Sequence, residues 1–114
     1  MHELGIAESA LRLALDRARA EGGRRVTRLE LRVGSLSGVD IEALQFAFTA
    51  ILPGTAAAGA AVQIDPVPAV AYCADCRQDF PLPEHFFCEC PKCGRPSGVI
   101  KQGRELDLVR LEIT

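Results

Sequence analysis

The chain has 114 residues, of which 48% are hydrophobic and 25% are charged, and its formal net charge is -2. This composition is typical of a single globular domain and excludes a largely disordered chain. Its 13 basic residues are outnumbered by 15 acidic ones, and no basic run is longer than Arg24-Arg25. Nucleic-acid binding is therefore not expected, because it depends on clustered positive charge.

The amino-terminal segment lacks the pattern of a secretory signal. Such a signal has a basic start and an unbroken apolar stretch, which Glu3 and Glu8 interrupt here. No window approaches the roughly 18 apolar residues that a membrane-spanning helix needs. We therefore expect a cytoplasmic protein without membrane contact, in which the five cysteines stay reduced.

Apolar residues at three- and four-residue spacing predict an amphipathic helix near the amino terminus. Gly22-Gly23 ends this helix. The helix begins near residue 3, which leaves the residues before it outside the helix. Its apolar stripe consists of Leu4, Ala7, Leu11, Ala14, Leu15 and Ala18.

A strand and a second helix follow. Alternation of apolar and polar residues from Thr27 to Val33 predicts a strand with one buried face. Asp40 is a suitable N-cap for a helix that carries apolar residues from Ile41 to Ile51 and ends at Pro53-Gly54. Residues 55–61, rich in Ala and Gly, predict a loose connection.

Two further strands flank a cysteine-rich segment. The first contains Val62 and Ile64 and ends or lies at a sheet edge near Pro66. The last runs from Leu106 to Ile113, where a change of apolar phase indicates either a bulge near Leu108 or burial on both faces. Four prolines argue against regular structure within the cysteine-rich segment. They are Pro81, Pro83, Pro91 and Pro96.

This order of elements predicts an α+β fold. Two helices are expected to pack on a small mixed or antiparallel sheet. The cysteine-rich segment is expected to form a zinc-ribbon insertion between two strands of that fold.

The cysteines form two pairs with the spacing of a structural zinc site. Cys73 and Cys76 enclose two residues, as do Cys90 and Cys93, and 13 residues separate the pairs. Each pair can direct two sulfurs to one point, and two such turns form a closed tetrahedral S4 shell. Iron is a weaker alternative for the same ligands. A redox dithiol is weaker still, because no βαβ pattern surrounds either pair.

Cys88 and His85 remain outside this set. Cys88 can replace Cys90 as the partner of Cys93, but Cys90-Pro91-Lys92-Cys93-Gly94 is the better turn. We expect Cys88 to be a spare thiol and His85 to be solvated. Four acidic and three basic residues between positions 73 and 98 favour a structural or protein-contacting ribbon over one that binds phosphate.

The amino terminus offers a second set of metal donors. The α-amine of Met1, the backbone nitrogen of His2 and its imidazole can close fused chelate rings around one cation. The amide or carboxylate of Glu3 can supply a fourth donor. Flat, nitrogen-rich sites suit Ni2+ and Cu2+ better than Zn2+ or Mg2+.

Together these motifs resemble the HypA/HybF nickel metallochaperones of nickel–iron hydrogenase maturation. The resemblance covers essentially the whole chain and rests on Met1-His2-Glu3, the strand from Leu29 to Gly34, and the two cysteine pairs. It implies that Met1, His2 and Glu3 bind nickel and that the four paired cysteines hold structural zinc. It also implies delivery of nickel to the hydrogenase large subunit with a HypB-type GTPase.

We therefore expect a nickel carrier and not an enzyme, because no catalytic triad, P-loop or Rossmann glycine motif is present. Residues 1–68 and 104–114 are expected to form a nickel-binding α+β core, and residues 69–103 a zinc-binding ribbon. A monomer or weak homodimer is expected. The alternatives are a zinc-ribbon interaction adaptor without nickel function, and a dithiol oxidoreductase that uses Cys73 and Cys76.

Overall fold

A computed structural model describes residues 2–82 and 88–114. These residues form helices α1 (Glu3–Ala20) and α2 (Ile41–Ile51) and strands β1 (Val26–Gly34), β2 (Ala61–Val67), β3 (Val70–Cys73), β4 (Gln78–Pro81), β5 (Val99–Gln102) and β6 (Leu106–Ile113). The predicted α+β fold is confirmed. In this part of the chain, neither helix combines the length and the apolar character needed to cross a membrane.

Sequence signals account for where α2 begins and where α1 ends. Asp40 is the N-cap of α2, and its carboxylate accepts the N–H of Ala43 at 3.2 Å. At the end of α1, Gly22 has a φ of +73°, which glycine adopts readily. The N–H of Gly23 then donates to the carbonyl of Ala18 at 2.8 Å, which closes the helix with a Schellman motif.

The first sheet has the order β2-β1-β6 and is mixed. β1 is parallel to β2 and antiparallel to β6. The predicted bulge is present in β6: Leu108 pairs with Leu31 and Arg110 with Glu30, so Val109 is the extra residue. Pro66 lies within β2 rather than ending it, which an edge strand tolerates.

The core lies between this sheet and the two helices. Phe48 and Leu44 of α2 and Leu29 of β1 are each 0% exposed, and each such burial contributes about 1.5–3 kcal/mol. The segment expected to be loose instead forms turns that join this core. Ala57 is 0% exposed, and the N–H of Val26 donates to the carbonyl of Ala56 at 2.9 Å.

The cysteine-rich segment contains a second sheet of three strands, so the expectation of no regular structure there was wrong. Its order is β4-β3-β5 and both pairings are antiparallel. Pro81 is the last residue of β4, a position at the sheet edge where a missing N–H costs little. A separate small cluster of buried side chains, which includes Ala71 and Phe80, fills this region.

Candidate metal centres

The second sheet and two tight turns bring four sulfurs together. Cys73 ends β3, and Cys76 lies in the turn before β4. Cys73 Sγ lies 3.6 Å from Cys93 Sγ, and Cys76 Sγ lies 3.8 Å from Cys90 Sγ. All four sulfur atoms lie within 4.8 Å of one another.

Backbone hydrogen bonds hold both turns. The N–H of Cys76 donates to Cys73 Sγ at 3.4 Å. In the second turn, the N–H of Gly94 donates to the carbonyl of Cys90 at 2.8 Å, and Gly94 has a φ of +71°. Glycine adopts this conformation without strain, which explains its place directly after the second cysteine pair.

The distances between sulfurs fit zinc. In a tetrahedral site with Zn–S bonds of about 2.3 Å, neighbouring sulfurs lie about 3.8 Å apart. The two closest sulfur pairs have separations of 3.6 and 3.8 Å. An S4 set of this size suits a tetrahedral cation with affinity for sulfur, of which Zn2+ is the usual example.

The crowded thiols shift one another's pKa. Hydrogen bonding with the Cys93 and Cys90 side chains raises the pKa of Cys76 to about 12. The backbone N–H groups of Cys93 and Lys92 lower the pKa of Cys90 to about 7. A bound divalent cation would stabilise the thiolates at neutral pH.

Cys88 lies outside the cluster of four sulfurs. It is half-buried against the small core of the ribbon, and its carbonyl accepts the N–H of Ser97 at 2.7 Å. Among the described residues the structure therefore does not assemble the alternative set in which Cys88 replaces Cys90. His85 lies outside the described residues.

In the sequence, the amino-terminal donors lie before and at the first residue of α1. His2 is exposed and has an extended backbone, with φ −83° and ψ 107°. Its carbonyl accepts the N–H of Ile6 at 3.1 Å, which fixes the peptide that enters the helix. Backbone N–H groups at a helix start have no intrahelical acceptor, so the nitrogens of His2 and Glu3 are not needed by α1. Met1 lies outside the described residues.

Glu3 has a contact that the sequence does not reveal. Its Oε2 accepts the N–H of Asp40, the N-cap of α2, at 3.0 Å. This hydrogen bond is the main reason that the pKa of Glu3 lies below its usual value. The two residues are 37 positions apart, and nothing local in the sequence indicates that they meet. The contact ties the start of α1 to the start of α2.

His2 also lies at the end of a groove between α1 and β6. The groove has a volume of about 480 Å³. Its other lining residues are mostly apolar and include Ile6, Leu13, Leu106 and Leu108. His2 is therefore next to an accessible, largely apolar surface.

Comparisons with known proteins agree on one family. A family model described as hydrogenase/urease nickel incorporation, metallochaperone, HypA matches residues 1–113. The chain is 44% identical to a hydrogenase maturation factor HypA of Chloroflexus aurantiacus over 98% of both chains. It is 40% identical to that of Chlorobaculum parvum over 99% of both chains.

Solved structures show the same fold. The solution structure of the Ni metallochaperone HypA from Helicobacter pylori matches with a TM-score of 0.67 and 24% identity, over 99% of this chain and 97% of that one. Another solution structure of a HypA protein matches with a TM-score of 0.66 and 25% identity, over 100% of this chain and 97% of that one. The resemblance predicted from sequence is confirmed, and the chain belongs to the HypA family of nickel metallochaperones in hydrogenase maturation.

Proposed function

We propose that this chain binds Ni2+ at its amino terminus and delivers it during hydrogenase maturation. The α-amine of Met1, the backbone nitrogen and imidazole of His2, and Glu3 are the proposed donors. Because Oε2 of Glu3 already accepts the Asp40 N–H, the backbone nitrogen of Glu3 is the proposed fourth donor. Four nitrogens in one plane suit Ni2+.

The observation that carries the proposal is the position of His2. It is exposed and stands directly before the first residue of α1. A carrier needs accessible donors that a partner can displace, whereas a resident ion is better held in a closed shell. The membership of the chain in a nickel metallochaperone family supports the same function.

We further propose that Cys73, Cys76, Cys90 and Cys93 hold a structural Zn2+. The sulfur separations support a structural site, and four cysteine ligands leave no coordination position open for water or substrate, as a catalytic zinc site would need. When bound, zinc supplies the cross-link between the two turns of the ribbon. The proposed domains are residues 1–68 with 104–114 for nickel and residues 69–103 for zinc.

The proposed partners are a HypB-type GTPase and the hydrogenase large subunit. Their support is the family, whose curated relatives are hydrogenase maturation factors. Transfer of nickel by ligand exchange needs no catalytic residue in this chain. We therefore propose that the chain is not an enzyme. The proposed place of action is the cytoplasm.

Calorimetric titration of intact, untagged protein with Ni2+ tests this function. His2→Ala removes the imidazole donor and should weaken binding at least about a hundredfold, which is about 2.8 kcal/mol. His85→Ala is the matched control, because it removes the chain's only other imidazole and should leave nickel affinity unchanged.

Metal analysis should find the same zinc content in both variants. If His2→Ala binds Ni2+ as tightly as the native chain, the nickel proposal is wrong and a zinc-ribbon adaptor is the better description.

A further inference from the structure

The four clustered cysteines lie in two turns that face each other. The first cysteine turn carries Cys73 and Cys76, and the second carries Cys90 and Cys93. The sulfur contacts of 3.6 Å between Cys73 and Cys93 and of 3.8 Å between Cys76 and Cys90 each join one turn to the other. Each sulfur of the first turn therefore has a close neighbour in the second.

Contacts that need no metal also hold the two turns against each other. Arg95 Nη1, just after the second turn, lies 3.5 Å from Asp75 Oδ1 in the first. Lys92 Nζ, in the second turn, donates to Gln78 Oε1, just after the first, at 2.5 Å. Exposed contacts of this kind are individually weak, but the two together favour one arrangement of the turns.

The backbone around the second turn places the fifth cysteine apart from the other four. The N–H of Cys90 donates to the carbonyl of Arg95 at 2.9 Å, and the N–H of Ser97 donates to the carbonyl of Cys88 at 2.7 Å. These hydrogen bonds form a short hairpin around the turn. Cys88 lies at the base of this hairpin and outside the sulfur cluster.

We propose that the ribbon is a redox-sensitive switch, in which a peroxide converts the four clustered cysteines into two disulfides, Cys73–Cys93 and Cys76–Cys90. The inference rests on the zinc site proposed above. The S–S distance of a disulfide is about 2.05 Å, so the sulfurs of each pair must approach by about 1.5–1.8 Å. Cys88 remains a thiol in both states.

The oxidation takes two steps at each sulfur pair. One thiolate attacks the peroxide: an S–O bond forms, the O–O bond breaks, and a sulfenic acid and hydroxide result. The facing thiolate then attacks the sulfenic sulfur: the S–S bond forms, the S–O bond breaks, and a second hydroxide leaves. Each sulfur pair loses two electrons to one peroxide. Two peroxides and four protons thus convert four thiolates into two disulfides and four waters, and the site loses its thiolate ligands for zinc.

The oxidised ribbon keeps a link between its two turns although it loses zinc. The proposed disulfides join residues that are 20 and 14 positions apart, whereas a disulfide within one turn joins residues three positions apart. A cross-link that closes a longer loop restricts the unfolded chain more. Oxidation should therefore preserve the ribbon, whereas chelation removes the link altogether.

Disulfide mapping of the zinc-loaded full chain after treatment with hydrogen peroxide tests the pairing. Free thiols are blocked with N-ethylmaleimide before digestion. Cleavage before Asp75 and after Lys92 separates the two cysteines of each turn. Cleavage after Glu89 separates Cys88 from Cys90. We expect release of one Zn2+ per chain, the two disulfides that join the turns, and N-ethylmaleimide on Cys88 alone.

Cys88→Ser is the control, because it removes the fifth thiol and keeps all four clustered sulfurs. It should release zinc and form the same two disulfides as the native chain. Amide hydrogen exchange gives a second measurement: in β3, β4 and β5 it should be at least about tenfold slower after oxidation than after chelation. Treatment with dithiothreitol and Zn2+ should restore the native state.

Disulfides within the turns, a disulfide that includes Cys88, or sulfinic acids in place of disulfides would overturn the proposal. Retention of zinc by the oxidised chain, or exchange as fast as after chelation, would do so as well. The zinc content of the untreated chain is measured first. A chain without zinc would contradict the proposed zinc site, and its disulfide map would still decide the pairing.

Discussion

Glu3 connects the candidate nickel site to the rest of the core. Its carboxylate accepts the N–H of Asp40, and the same Asp40 caps α2 through its own side chain. One hydrogen bond thus fixes the first residue of α1 relative to the first turn of α2. His2 is attached directly to this residue, so the contact places the His2 peptide close to the start of α2.

We predict that Glu3→Gln weakens this anchor. The lowered pKa of Glu3 means that its ionised form stabilises the fold at pH values above the usual carboxyl pKa. That contribution is lost as the pH falls through the lowered pKa. In an NMR pH titration of the native protein, the chemical shift of the Asp40 amide should change as Glu3 becomes protonated. In the Glu3→Gln protein this change should be absent.

Glu8→Gln is the matched control, since Glu8 is an exposed glutamate of the same helix. It should leave the Asp40 amide titration unchanged. An identical titration in the native and Glu3→Gln proteins would show that the contact does not persist in solution.

At the scale of residues, local chemistry was predictable and distant contacts were not. The N-cap role of Asp40 follows from its place before an apolar stripe and is confirmed. The meeting of Glu3 and Asp40 depends on how α1 and α2 pack, which no short stretch of sequence encodes. The separation of Cys88 from the other sulfurs likewise depends on the turn around Cys90.

At the scale of elements, the segment that follows β1 connects the first sheet to the second. The N–H of Leu36 donates to the carbonyl of Gly103 at 2.7 Å, and the Leu36 side chain packs against the small core of the ribbon. Gly34 allows this approach, because a Cβ there would lie 2.0 Å from the carbonyl oxygen of Gly103. The backbone of β1 therefore touches the strand connection that leaves the ribbon.

Gly34→Ala should be strongly destabilising. The added methyl group meets backbone atoms that cannot move aside, and we expect a loss of about 2–4 kcal/mol in the free energy of unfolding. Urea denaturation measures this change in the free energy of unfolding. Gly98→Ala is the matched control, because nothing lies within 4 Å of its added Cβ.

The control should change the free energy of unfolding by no more than about 0.5 kcal/mol. Equal urea midpoints for Gly34→Ala and Gly98→Ala would contradict the close approach of the backbone at Gly34 to that at Gly103.

The helices and the strands of the first sheet were predictable because apolar periodicity and end signals agree. The bulge in β6 was visible as a change of phase and is confirmed at Val109. The second sheet was missed because β3, β4 and β5 are only four residues long each, and the prolines near them suggested irregular backbone. Strands this short form because neighbouring strands and the cysteine turns hold them, which is not a local property.

At the scale of the molecule, the described residues contain two separate groups of buried side chains, one beside each sheet. The larger contains residues of α1, β1 and α2, and the smaller contains Ala69, Ala71, Cys73, Phe80, Leu82 and Cys90. The smaller group has few large side chains. A cluster of this size buries little apolar surface, so we expect the ribbon to depend on cross-linking by a metal.

Removal of zinc should therefore unfold the ribbon and spare the helical core. After chelation, amide hydrogen exchange is expected to become fast in β3, β4 and β5 and to stay slow in α2 and β1. Cys88→Ser, which leaves the four clustered sulfurs in place, should retain zinc and exchange like the native chain. Simultaneous loss of protection in α2 would mean that zinc supports the entire fold.

Above all, we propose that the amino terminus and its neighbouring imidazole bind nickel. The most direct test compares Ni2+ binding by the intact chain with binding by a chain extended by one glycine before Met1. The extension moves the α-amine away from His2 and leaves every described residue unchanged. We predict that the intact chain binds Ni2+ and that the extension weakens its affinity about tenfold or more. Equal affinities for the two chains would contradict the claim.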